Sequence, residues 1–276
     1  MSPAEENVID SYSLSHTGKV REDNQDAVRL CDSEDPRLTG VYGHLYGVAD
    51  GMGGYAHGGV ASTLALETFF ETFYATNGIS PLQKFRVSIQ NANLSVYQAA
   101  QRMAAGRMGT TLTAINIVGR DLYVGHVGDS RAYLIRKNEA RCLTNDHTRV
   151  GEMVRMKVLS PDKVRTHSQR SVLSKSLGLG LFVQPDISKV AVHEEDTILL
   201  CTDGIWSVIE DHEFADLSKS SPGPEALSRR IIDLALDRNS DDNLSIVTVF
   251  LRRLSANTEI SSSKWSFPKF IRRIVK

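Results

Sequence analysis

The chain has 276 residues, of which 41% are hydrophobic and 24% charged, with a formal net charge of −1. That is room for one large domain or two small ones with an ordinary buried core, and no net field to draw the chain onto nucleic acid or a membrane. The three cysteines, Cys31, Cys142 and Cys201, stand far apart with no Cys-x-x-Cys pair, which argues against a disulfide scaffold or zinc ribbon and for a reducing compartment.

The first residues, Met1 to Asn7, are polar and acidic, without the basic start and apolar run of a secretory signal. No apolar run approaches the roughly 20 residues of a membrane-spanning helix. A cytoplasmic protein is the expectation.

Val8 to Ser15 alternates loosely and reads as a first strand. A polar turn, His16 to Asp26, follows it. Ala27 to Cys31 reads as a second strand, and Asp32 to Gly40 as a turn-rich loop. His44 to Ala49 is a short apolar run that stops at Asp50, and the glycines that follow (Gly51, Gly53, Gly54, Gly58) allow a tight turn. Val60, Leu64, Leu66, Phe69, Phe70 and Phe73 then recur at helical spacing and read as core. Asn77-Gly78 ends that helix, and Pro81 opens a second one running to about Ala105, with Phe85, Ile89, Ala92, Val96 and Ala99 on one face.

The period then changes to that of strands. Thr110–Val118, Asp121–Val127, Ser130–Arg136 and a short piece near Arg141–Leu143 read as a meander, with turns at Gly119-Arg120 and Lys137-Asn138-Glu139. Arg149–Met156 reads as a short helix and Lys157–Arg170 as an irregular excursion. Asp186–Ala191 and Thr197–Thr202 read as strands. Asp211 would cap a short helix ending near Leu217, Glu225–Asp237 is a helix, and Leu244–Leu251 is a final strand. From Lys264 onward the chain carries five basic residues and no acidic one, so 255–276 reads as a linker and a basic, partly apolar tail.

Asp50, Asp129, Asp203 and Asp242 all fall at strand or turn boundaries. A capping or turn role is the default for each. Asp50 and Asp203 stand out because each follows a nearly all-apolar strand, where a carboxylate without a partner is costly. Oxygen-only ligands select hard ions such as Mg²⁺ or Mn²⁺, and His44, His57, His126, His147 and His167 are too scattered for a zinc pattern. Two ions about 3.5–4 Å apart can activate a shared water for in-line attack on phosphorus. Arg21, in the first polar turn, could hold phosphoryl oxygens bidentately.

Eight segments in order resemble the metal-dependent protein serine/threonine phosphatase family, type 2C, in its bacterial form. They are Gly18 to Asp26, Val48 to Gly54, Gly109-Thr110-Thr111, Val127 to Tyr133, Leu143 to Thr148, Leu173 to Gly178, Cys201 to Gly204, and Asp241 to Ser245. The resemblance covers about Val8 to Leu251. It implies an α+β fold, a four-layer αββα sandwich of two antiparallel β-sheets flanked by helix pairs. It also implies a catalytic domain over 8–254 with a flap at about 148–171, after a flexible segment 1–7.

By the same resemblance, Asp50 would bridge two Mn²⁺ or Mg²⁺ ions, with the Gly51 carbonyl on one and Asp203 and Asp242 on the other. Asp129 with Asp203 would form a weaker third site, and Arg21 would bind the substrate phosphate. Asp26 would hold water at the metals from behind the ligands, and Asn243 would orient the Asp242 loop. The activity implied is hydrolysis of phosphoserine and phosphothreonine in proteins, opposing a bacterial Ser/Thr kinase and acting on that kinase's substrates, by a monomer.

Eukaryotic members carry a histidine just after the Asp-Gly pair, thought to protonate the leaving alkoxide. Met52 stands there and has no proton to donate, which shifts that role to solvent at the metals or to a histidine such as His57. Lys157, Lys163, Arg165, His167 and Arg170 make the flap basic, suited to an acidic substrate segment or simply to solvent. The tail, with Trp265, Phe267, Phe270 and Ile271, could touch an anionic membrane or the protein itself; disorder is the simpler expectation. A pseudophosphatase would have lost metal aspartates, and none is missing. A nuclease or diesterase would carry a basic stripe, and there is none.

Overall fold

The computed structural model describes residues 7–30, 42–53, 57–103 and 108–254. The segment before Asn7, Cys31 with the loop expected behind it, Gly54 and the basic tail from Ser255 lie outside the described residues.

The chain opens with β1 (Val8–His16), β2 (Asp26–Leu30) and β3 (His44–Met52), followed by α1 (His57–Ala75) and α2 (Pro81–Arg102). The expected meander is β4 (Gly109–Thr110), β5 (Leu112–Val118), β6 (Asp121–Val127), β7 (Arg131–Arg136) and β8 (Glu139–Cys142). α3 (Arg149–Arg155) and a 3₁₀ turn (Pro161–Lys163) lie in the segment 148–171 expected as the flap. The remainder is β9 (Asp186–Ala191), β10 (Thr197–Cys201), α4 (Asp203–Trp206), α5 (Asp211–Lys219), α6 (Pro224–Asp237) and β11 (Leu244–Arg253).

Local chemistry sets several of these boundaries. Ser80 caps α2 through a capping box with Gln83, and Pro81 occupies the first turn, where its missing N–H is harmless. Lys137 and Asn138 take positive φ (48° and 67°) in the two-residue turn between β7 and β8, the geometry of a tight hairpin.

Two antiparallel sheets result, one ordered β1-β11-β10-β7-β8 and the other β2-β3-β5-β6-β9, with β4 joined to β3. Their facing sides interleave Tyr46, Val48, Ile115, Ile198 and Val247. On the outer side of the second sheet, α1 and α2 bury Phe69, Phe73, Phe85 and Ile89. On the outer side of the first, Trp206, Phe214, Leu227 and Ile231 pack from α4, α5 and α6. This is the expected αββα sandwich. Truncating one of the buried phenylalanines to alanine costs about 3–5 kcal/mol.

The structure corrects three expectations. β3 does not stop at Asp50 but continues to Met52, because β4 pairs with it at Gly51↔Thr110 and Met52↔Gly109. Thr202 does not belong to the strand: β10 ends at Cys201, and Thr202 is the N-cap of α4, whose first residue is Asp203. Val60 and Leu64 are not core: Val60 is 40% exposed and Leu64 half-buried, because Ala61, Ala65, Leu66, Phe69 and Phe73 form the stripe of α1 that meets the sheet. No helix among the described residues is long and apolar enough to cross a membrane.

Candidate active site

Antiparallel pairing brings the end of one strand beside the start of the next. Five aspartates collect at one rim of the sandwich for that reason. Asp26 opens β2, Asp50 lies near the end of β3, Asp129 follows β6, Asp203 follows β10, and Asp242 precedes β11. Asp26 and Asp50 are directly opposed in the ladder.

The backbone of Asp50 is held from both sides. Its N–H donates to Thr111 Oγ1 at 2.9 Å, and its carbonyl accepts from Thr111 N at 2.8 Å and from Thr110 Oγ1 at 2.9 Å. Gly51 donates to the Gln25 carbonyl at 3.1 Å, and a Cβ at Gly51 would run into the Gly58 carbonyl. Only glycine fits where this backbone approaches the site.

Asp242 accepts from Asn243 N at 2.9 Å and from Arg21 Nη2 at 2.8 Å. Arg21 Nε donates to the Asp241 carbonyl at 3.2 Å, so the guanidinium is oriented by the Asp242 loop while its side chain stays 54% exposed. Asn243 ties this loop to the first polar turn. Its Oδ1 accepts from Gln25 N at 2.9 Å, and its Nδ2 donates to the carbonyls of Thr17 and Asp23 at 2.8 and 3.0 Å. Gly18 has φ +85°, and a Cβ there would meet the Asp242 carbonyl.

Asp26 accepts from Thr202 Oγ1 at 2.8 Å and also bonds Ser245; burial, with the charges of Asp203 and Asp242, still pushes its carboxyl up to about 7. Burial first, then Asp242, raises Asp203 to about 6, and Asp203 lies within hydrogen-bond reach of Asp50. Burial also holds Asp50 and Asp129 well above the ordinary carboxylate range, with neighbouring aspartates adding to it. Arg21 and the flap's Arg170 are the cations acting on Asp203.

Five carboxyls face Arg21, Arg170 and Arg131, the last already gripped by Asp146, which leaves the rim short of positive charge. Asp203 Oδ1 is buried without a hydrogen-bond partner, a costly arrangement that a cation relieves. The donor set is all oxygen, suited to Mg²⁺ or Mn²⁺. Among the described residues, no three ligand side chains are drawn together tightly enough to form a closed cage by themselves. Convergence, mutual electrostatic coupling and the orphaned oxygen carry the fit to hard divalent cations.

The sequence points to an internal salt bridge for Arg131 and a structural place for His147, but it does not reveal the part Trp206 plays behind the rim. Trp206 Nε1 donates to the Asp129 carbonyl at 2.8 Å, joining the helix that begins with Asp203 to the Asp129 loop. The Arg131 guanidinium lies 3.7 Å from the Trp206 ring centroid and grips Asp146 with two bonds of 2.9 and 2.7 Å. It is buried and faces inward. Arg165 does not face substrate either; it anchors the flap to the carbonyls of Trp206 and Ile209 at 2.8 and 3.2 Å and to Asp211 at 2.6 Å. His147 accepts from Gly128 N at 3.2 Å and pairs with Asp186 at 3.2 Å, bracing the flap base. Met52 lies in β3, and His57 is the half-buried first residue of α1.

The family model "Protein phosphatase 2C" matches residues 11–244. The chain belongs to the protein phosphatase 2C family. It is 30% identical over 237 residues to the serine/threonine phosphatase stp of Listeria welshimeri, covering 84% of this chain and 92% of that protein. The serine/threonine phosphatase PstP/Ppp of Mycobacterium tuberculosis superposes with a TM-score of 0.78 at 30% identity, covering 89% of this chain and 99% of that one. The catalytic domain of PstP, solved in complex with two manganese ions, superposes with a TM-score of 0.76 at 28% identity, covering 90% and 100%.

Proposed function

We propose that this chain hydrolyses phosphoserine and phosphothreonine in proteins at a pair of divalent cations. Asp50 and the Gly51 carbonyl would hold them on one side and Asp203 and Asp242 on the other, with a weaker third position between Asp129 and Asp203. The observation that carries this reading is the convergence of five largely uncompensated carboxyls around the partnerless Asp203 Oδ1. Bound there, such cations would supply an activated water and neutralise phosphoryl charge.

The protein's own groups do the positioning. Arg21, already aimed by Asp242 and the Asp241 carbonyl, offers its remaining N–H groups to the phosphoryl oxygens. Asp26, gripped by Thr202, holds a water at the rim from behind. Asn243 keeps the Arg21 turn and Asp242 in register. Met52 has no proton for the leaving alkoxide, which leaves solvent or His57. The enzyme would act as a monomer, oppose a Ser/Thr kinase on shared substrates, and use Mn²⁺ or Mg²⁺. Cys142 and Cys201 are free thiols, in keeping with a cytoplasmic setting.

The test is a substrate panel with added Mn²⁺: phosphothreonine and phosphoserine peptides, a phosphotyrosine peptide and a phosphodiester. Release of phosphate from the first two is expected. Preference for the diester would contradict the reading.

A further inference from the structure

Val60 and Leu64, the two α1 residues expected in the core but outside it, line an open groove of about 590 Å³ between α1 and the Arg21 turn. The turn contributes Asp23 to its lining and α1 contributes Glu67. The groove closes at Gln25, whose carbonyl accepts from Gly51 N at 3.1 Å and from the Ser62 hydroxyl at 2.6 Å. It therefore opens directly beside the residues assigned to metal and phosphate.

Among the described residues, the side chains of Asp23 and Glu67 make no hydrogen bond or ion pair. Arg29, on β2 behind α1, instead lies over the Phe70 ring, 5.1 Å from its centroid. The far side of the site has the opposite sign, with Arg170 acting on Asp203 and Lys157 and Lys163 exposed on the flap.

We propose that this groove is the subsite for a lysine or arginine that flanks the phosphorylated residue of the substrate protein, an inference that rests on the phosphatase reading of the adjoining site. The aliphatic stem of such a side chain covers Val60 and Leu64 while its charged head sits between Asp23 and Glu67. A purely apolar side chain would cover Val60 and Leu64 but leave both carboxylates unpaired. An acidic one meets like charge.

Matched phosphothreonine peptides, carrying Lys, Ala or Glu at each flanking position in turn, test this by kcat/KM. Lys is expected to exceed Glu on one side of the phosphothreonine by about 3- to 10-fold, the scale of two half-solvated ion pairs, and high salt should shrink the difference. Glu67→Gln should reduce the preference and Glu67→Lys reverse it, with p-nitrophenyl phosphate turnover unchanged because that substrate does not reach the groove. A flat profile, a preference for Glu, or a profile unmoved by Glu67→Lys would overturn the subsite while leaving the phosphatase reading intact. Absence of hydrolysis of every phosphopeptide and of p-nitrophenyl phosphate would remove both.

Discussion

Asp26 on β2 lies directly opposite Asp50 on β3 in the antiparallel ladder. Like charges in that relationship repel, so the pair persists only with help. Asp26 takes it from Thr202 Oγ1, at 2.8 Å, and from Ser245; Asp50 is left facing Asp203 and the rim. Asp26→Ala should therefore keep the fold but weaken Mn²⁺ binding and turnover by the ~10–100-fold typical of groups that support a metal ligand. Isothermal titration with Mn²⁺, beside steady-state kinetics, checks both.

At Gly51 the constraint is steric. A methyl group there meets the Gly58 carbonyl, and β3 is tied on both sides at that point, to Gln25 and to Thr110. Gly51→Ala is expected to lower stability by about 1–3 kcal/mol, the range of forced overpacking, and to abolish activity. Urea denaturation and phosphate release measure the two effects.

Much of the site was legible in the sequence because its chemistry is carried by short segments. Asp50 and Asp203 each mark the end of an apolar run and Asp242 stands just before one, and the register of the sheets then brings them to one rim. Three things were not legible. β3 runs past Asp50 because a two-residue partner strand, too short to show a period, pairs with it. Val60 and Leu64 share the helical spacing of the core stripe, and only the rotation of α1 against the sheet separates them from it. The contact of Trp206 with Asp129 and Arg131 joins residues 77 and 75 positions apart in sequence, and no local pattern records it.

That contact makes a stability prediction. Arg131→Met would strand Asp146 as a buried, unpaired carboxylate and should destabilise the protein by about 3–5 kcal/mol. The double variant Arg131→Met/Asp146→Leu should recover most of that loss, since it removes both buried charges. Thermal or urea unfolding of the two variants decides whether the penalty is one of unpaired charge.

His126 sets an acid limit. Burial lowers its imidazole from the ordinary 6.5 to about 4. Below pH 6.5 the unfolded chain binds a proton that the native state resists, so stability falls as the pH drops from 6.5 towards 4 and is fully present above that window. The loss by pH 5 is about 2 kcal/mol, from 1.36 kcal/mol per pH unit. His126→Gln should flatten this part of the stability-against-pH curve when urea midpoints are compared at about pH 7.5 and about pH 5.

The central claim is that the rim carboxylates hold the ions on which phosphate release depends, and Asp203, with its partnerless buried oxygen, tests it most directly. The measurement is phosphate release from a phosphothreonine peptide by EDTA-stripped protein titrated with Mn²⁺, for the wild type and for Asp203→Asn. The wild type should be inactive until Mn²⁺ is restored, and Asp203→Asn should lose more than the ~10–100-fold expected of a merely supporting residue. Undiminished turnover in EDTA, or a variant as active as the wild type at every Mn²⁺ concentration, would contradict it.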